Sequence, residues 1–185
     1  MEVKGTALLA IRDFVKINHK EKYDTWLESL SEDSRQIFEK TIDSTQWYPI
    51  NFAAIEPTKK ISDLIFSGDA KKGAWESGKY SAEKGLSGIY RIFVKATSPN
   101  FIISRAKDVF AKYYRPCELN VIKSDSNGVI LHMTGTKQMD SVIEYRIAGW
   151  IEKALEINGA KEAEVNITKS LSAGAEHTEF TISWK

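Results

Sequence analysis

The hydrophobic period of this chain changes at Pro116, and that change limits the architectures open to it. Before Pro116, apolar residues recur every three to four positions, the spacing of one helix face. After it come alternating stretches, the spacing of one sheet face, around a single further helical stripe. Leu8, Leu9, Ile11 and Val15 predict a helix over roughly residues 5–17. Tyr23, Trp26, Leu27 and Leu30 predict a short second one. Ser31, followed by Glu32 and Asp33, starts a third, because a hydroxyl cap and early acids satisfy free amides and the helix dipole. Trp47-Tyr48-Pro49 opens a further segment, which Pro57 is expected to interrupt before Ile61, Leu64 and Ile65 resume the period. Five glycines make residues 68–88 the weakest helical stretch, yet Trp75 and Tyr80 mark it as a packed helix rather than a linker. Ser98-Pro99 is a strong start signal for a helix carrying Ile102, Ala106, Val109, Phe110 and Tyr113.

Beyond Pro116, Leu119 and Val121 alternate with polar neighbours, and Asp125-Ser126-Asn127-Gly128 supplies hairpin chemistry before Val129, Leu131 and Met133. Ser141 with Glu144 fits a capping box, and Gly159 fits the cap at the far end of the same helix. Ile143, Ile147, Trp150, Ile151 and Ala154 form that helix's stripe, with Trp150 expected against the sheet beside Phe180 and Ile182. Val165 with Ile167, then Phe180, Ile182 and Trp184, complete the order strand, strand, helix, strand, strand. The expected fold is α+β: a helical part packed on a four-stranded antiparallel sheet with one long covering helix. No Pro/Gly/Ser-rich linker separates residues 1–115 from residues 116–185, so residues 1–185 are read as a single domain.

Charge excludes one class of function. Twenty-six Lys plus Arg against 25 Asp plus Glu leave a net charge of +1, without the basic surplus of a nucleic-acid binder. No apolar run approaches the ~20 residues of a membrane span. Met1-Glu2-Val3-Lys4-Gly5 lacks the pattern of a signal peptide, and one cysteine, Cys117, cannot form an internal disulfide, so a cytoplasmic location is expected. His19, His132 and His177 stand far apart in sequence and in no metal-ligand spacing, and nucleotide-binding and nucleophile-elbow motifs are absent. Neither an enzyme nor a metal site is expected. The aromatics, 11% of the chain, have two readings: walls of a ligand cavity, or filling of a core. If a cavity exists, Ile102, Phe110 and Tyr113 form one wall, with Trp75 or Tyr90 opposite.

Val3-Lys4-Gly5, Trp47-Tyr48-Pro49, Ser98-Pro99, Tyr113-Tyr114, Ala148-Gly149-Trp150 and Ile182-Ser183-Trp184 together resemble a bacterial family of uncharacterised paralogues expanded in myxobacteria. That family is similar to the superfamily of haem–nitric-oxide/oxygen-binding (H-NOX) domains, vinyl-reductase-type sensor domains and transport-particle (TRAPP) subunits. The resemblance implies a sensor-like α+β fold. It also implies a haem clamp of the form Tyr-x-Ser-x-Arg after the second strand, and the chain departs from it there. The clamp positions align with Met133, Gly135 and Lys137, so they are read as vestigial. Residues 20–131 contain no histidine to ligate iron; Cys117 and Tyr113 are the conceivable substitutes. The resulting expectation is a haem-free, non-enzymatic regulatory module without a cofactor, binding a small apolar or amphipathic molecule between helices and sheet. The alternative is a protein-interaction scaffold with a filled core. Ligand identity, partner and oligomeric state are not legible.

Overall fold

The computed structural model describes residues 1–88, 92 and 94–185. Strand β1 (Glu2–Lys4) leads directly into helix α1 (Gly5–Asn18), whose inner face carries Leu8, Ile11, Phe14 and Val15. Two short helices follow, α2 (Tyr23–Glu28) and α3 (Glu32–Glu39). Ser31 caps α3 as the sequence predicts, its hydroxyl accepting from the Ser34 amide. Trp26 of α2 is fully buried, and its indole N–H donates to the Pro57 carbonyl at 3.1 Å. That bond satisfies the one polar atom such a burial would otherwise strand.

Trp47-Tyr48-Pro49 is not the opening of a helix but strand β2 (Trp47–Pro49). It pairs antiparallel with β1, which pairs on its other side with β3 (Tyr114–Arg115). Nor does Pro57 interrupt a helix. A π-helical turn over Asn51–Ile55 runs into α4 (Glu56–Ile65), and Pro57 sits in the first turn of α4, where its missing N–H costs nothing. Helix α5 (Ala70–Gly85) occupies the glycine-rich stretch, with Asp69 as its cap. Ser98 caps α6 (Pro99–Ser104), but the expected single helix breaks at Arg105 and restarts as α7 (Ala106–Ala111).

The second half follows the predicted order. β4 (Glu118–Ser124) and β5 (Gly128–Thr134) form the hairpin, α8 (Ser141–Asn158) covers it, and β6 (Glu164–Lys169) and β7 (Thr178–Ser183) complete an antiparallel sheet ordered β4-β5-β7-β6. Gly159 closes α8 in the left-handed conformation, φ 101°. The capping box is replaced by different chemistry. Asp140 caps α8 by accepting from the Val142 amide at 3.1 Å. Glu144 is instead buried and accepts from the hydroxyls of Ser170 at 2.6 Å, Ser172 at 2.9 Å and Thr178.

One contiguous cluster of buried apolar side chains runs from Val3 to Trp184 through both halves. Its densest seam is the crossing of α5 and α8. A β-carbon on Gly78 would overlap the Arg146 carbonyl, and one on Gly149 would overlap the Trp75 carbonyl. The glycines that weaken α5 as an isolated helix therefore allow it to touch α8 backbone to backbone.

Candidate functional site

Close approach of α5 and α8 pushes Arg146 into the space between the helices and the sheet. Arg146 is buried, 3% exposed, and donates from Nη1 to the Ser77 hydroxyl one residue before Gly78. Burial pushes its pKa below the ordinary arginine value, opposed by the charge and hydrogen bond of the Tyr114 phenol. Its Nε finds no hydrogen-bond partner among the described residues, and none of their carboxylates pairs with it. Glu144, two residues earlier on α8, points to the opposite side and is held by hydroxyls. A buried guanidinium with neutral partners only is an unusual and costly arrangement, because desolvating a cation takes several kcal/mol unless an anion or a full set of acceptors compensates.

Arg146 lines a cavity of about 50 Å³ bounded by Ala7 of α1, Gly78 and Ser81 of α5, Phe110 of α7, Leu119 of β4 and Ile147 of α8. Beside it lies a second, almost wholly apolar cavity of about 160 Å³, walled by Leu86, Val94, Ile102, Ile103, Arg105 and Ala154. Val109, Trp150 and Ile151 line both. The far end of the second cavity is tied down by Asn158, whose Nδ2 donates to the carbonyls of Val94 at 2.6 Å and Thr97 at 2.7 Å.

Of the predicted wall residues, Phe110 and Tyr113 line the first cavity and Ile102 lines the second. Trp75 lines neither. Its indole N–H donates to Glu152 on the outer side of the α5–α8 seam, where Lys79 also meets Glu152 at 2.6 Å. Tyr90 lies outside the described residues. Trp150 is half-buried and lines the cavities, so it is not sealed against the sheet. The three clamp positions also lie away from both cavities: Met133 is buried in the sheet, Gly135 turns at φ 86°, and Lys137 is exposed. Cys117 is buried, and burial raises its thiol to about 11, which removes it as a ready thiolate. No histidine lines either cavity. His19 packs edge-on to Phe14 at the end of α1, and His132 stacks on His177 at the sheet. Arg146 is the central residue that sequence reading passed over. It hides in a polar position of a helical stripe, and only the glycine-mediated crossing makes that position interior.

No family model matches the chain, and no curated protein sequence does either. Solved structures do. An H-NOX protein from S. oneidensis in the Fe(II)NO ligation state superposes with a TM-score of 0.75 at 13% identity, covering 98% of this chain and 99% of that one. An Fe(II) unliganded H-NOX protein from K. algicida gives 0.71 at 12% identity, covering 98% and 96%. A variant of T. tengcongensis H-NOX gives 0.69 at 12% identity, covering 98% and 97%. The chain therefore has the α+β fold of H-NOX domains from end to end, at an identity that speaks for the fold alone.

Proposed function

We propose that this H-NOX-like fold serves as a haem-free, sensor-like regulatory module that takes a small amphipathic anion, its carboxylate on Arg146 and its apolar body in the cavity beyond Trp150. Arg146 carries the reading. It is a buried cation with an idle donor, lining one apolar cavity that adjoins another, the pairing that recognises a charged head on an apolar body. Size narrows the ligand. An apolar cavity of about 150 Å³ accepts a benzene-sized guest, so the 160 Å³ space suits an aromatic or medium-chain carboxylic acid rather than a long lipid.

The haem-free part rests on fit. A porphyrin needs on the order of several hundred Å³, against about 50 Å³ beside Arg146. Haem iron is most often held by a histidine, and the three histidines stand outside the cavity linings. Lys137 offers one exposed point charge where an arginine fork would grip a propionate.

A second reading, the scaffold with a filled core, is favoured by the same 50 Å³, little more than a water's share of liquid volume. Thermal shift separates them. Benzoate, phenylacetate and hexanoate should raise Tm with saturable dose dependence, their uncharged amides much less, because only native-state binding stabilises by mass action. Ala154→Phe, which fills the apolar cavity, should fold and lose the response. A panel with no shift in the wild-type protein leaves the scaffold reading standing. A stoichiometric Soret band on added haemin would overturn the haem-free part.

A further inference from the structure

Strand register brings together three residues that the sequence keeps apart. His132 on β5 stands directly opposite Glu179 on β7. His177 precedes Glu179 by two residues, the interval that returns an extended chain to the same face. Leu131, Met133, Thr178 and Phe180, their neighbours, are buried on the inner face, so the three side chains share the outer one. His132 Nε2 lies 2.8 Å from Glu179 Oε2, and His177 Nε2 lies 3.9 Å from the same oxygen. The two imidazoles stack with centroids 3.8 Å apart. One ligand atom from each of the three falls within 4.8 Å of the others. His177 Nε2 is buried and makes no hydrogen bond among the described residues. The side chains are 19%, 20% and 17% exposed, so the cluster is largely shielded from water yet open on one side.

We propose that His132, His177 and Glu179 form a binding site for a divalent transition-metal ion, with zinc(II) as the reference case. Two imidazoles and one carboxylate are the donor set that suits zinc and its borderline neighbours; calcium and magnesium prefer all-oxygen shells. A tetrahedral ion with bonds of 2.0–2.2 Å sets its ligand atoms about 3.3–3.5 Å apart. The separations here, from 2.8 Å to within 4.8 Å, bracket that value. Small side-chain rotations on a fixed strand pair reach it. The stacked imidazoles hold their nitrogens close without an ion, a pre-organisation that lowers the cost of assembling the ligands.

Two further groups reach the carboxylate. The Thr168 hydroxyl donates to Glu179 Oε1 at 2.8 Å, which leaves Oε2 for the ion and fixes the carboxylate plane. Lys169 Nζ lies 3.2 Å from Oε2 and competes as a cation; its side chain is 51% exposed and long enough to withdraw into solvent. Three protein ligands leave one coordination position open to water or to a donor from another molecule.

The test uses the full chain without an affinity tag. Cobalt(II) should give visible absorption bands that saturate at one equivalent and disappear on adding zinc(II). Calorimetric zinc affinity should fall by roughly 100-fold or more in His132→Asn and in His177→Asn, stay unchanged in His19→Asn, and rise in Lys169→Ala. Side-chain NMR of the wild-type histidines gives a readout that needs no variant: zinc should shift His132 and His177 together and leave His19 in place. Absence of saturable uptake, equal affinity for calcium, retention of binding in both His132→Asn and His177→Asn, or zinc shifts confined to His19 would each overturn the site.

Discussion

Glu144 and Arg146 are two residues apart on one helix, carry opposite charges, and never meet. The carboxylate is compensated by three hydroxyls, from Ser170, Ser172 and Thr178. Its truncation to Ala should remove the acceptor that all three share, leave the buried Thr178 hydroxyl without it, and cost about 2–4 kcal/mol in urea unfolding, whereas Glu144→Gln, which keeps an acceptor, should cost less than half of that. The guanidinium is the opposite case. Replacing a buried, under-compensated charge with an apolar side chain of similar volume is often neutral or stabilising by about 1–4 kcal/mol. Arg146→Met with Ser77→Ala should therefore match or exceed wild-type stability while losing the thermal response to carboxylates. A large loss of stability would show that Arg146 holds the fold together rather than waiting for an anion. Cys117 gives a third residue-level outcome. Burial raises its pKa to about 11, above that of the unfolded thiol. The native protein should thus be alkylated at pH 8 roughly 100-fold more slowly than the urea-unfolded chain. The sign for stability follows: any contribution is complete below the unfolded thiol's pKa and is lost as pH rises toward 11. A melting temperature that rises between pH 9 and pH 11 would contradict that sign.

Helices and strands differ in how much of them the sequence declares. Ser31, Ser98 and Gly159 act within a turn or two of themselves, and each end they mark is where the caps of α3, α6 and α8 lie. The Asn127-Gly128 hairpin is similarly local, with the Asp125 amide donating to the Gly128 carbonyl at 2.9 Å. Strands β1, β2 and β3 escape detection because two or three residues are too few to show a period; they exist because residues 3, 48 and 114 meet across the whole chain. Glu144 reads as a cap residue in sequence because its partners Ser170 and Thr178 lie 26 and 34 residues away. The His132–His177–Glu179 cluster needs a register between β5 and β7 that no spacing encodes. The α5–α8 seam carries its own prediction. Gly78→Ala and Gly149→Ala each drive a β-carbon into a carbonyl of the facing helix, and each should cost about 2–4 kcal/mol. Gly85→Ala, whose β-carbon would meet, among the described residues, only the Tyr113 hydroxyl at an ordinary 3.5 Å, should be neutral or stabilising by up to about 1 kcal/mol. Equal melting temperatures for all three variants would reject the seam as described.

At the scale of the whole molecule, the apolar cluster joins the helical half to the sheet half without a break. A chain built this way should unfold in one cooperative step, with calorimetric and van't Hoff enthalpies agreeing. Two resolved transitions would divide the chain near Pro116, where the hydrophobic period changes. None of the described helices is long and apolar enough to cross a membrane. The proposed anion pocket meets the sheet's inner face at Leu119 of β4, whereas the proposed metal site lies on the outer face of β5 and β7. They share no residue, so each can be removed without touching the other, and a double-mutant cycle between Ala154→Phe and His177→Asn measures whether the sheet couples them.

Trp150 stands where both cavities meet, and an indole is a fluorophore. Its emission depends on the polarity and mobility of the space around it, so filling that space should change both colour and intensity. The other tryptophans are placed to stay silent: Trp26 is sealed against Pro57, Trp47 lies under the cations of Lys4 and Arg115, Trp75 is bound to Glu152, and Trp184 closes the terminal strand. The protein thus carries an internal optical reporter of occupancy. Titration with phenylacetate should move the emission along the same curve as the melting temperature, and Ala154→Phe, which fills the apolar cavity, should flatten both curves together.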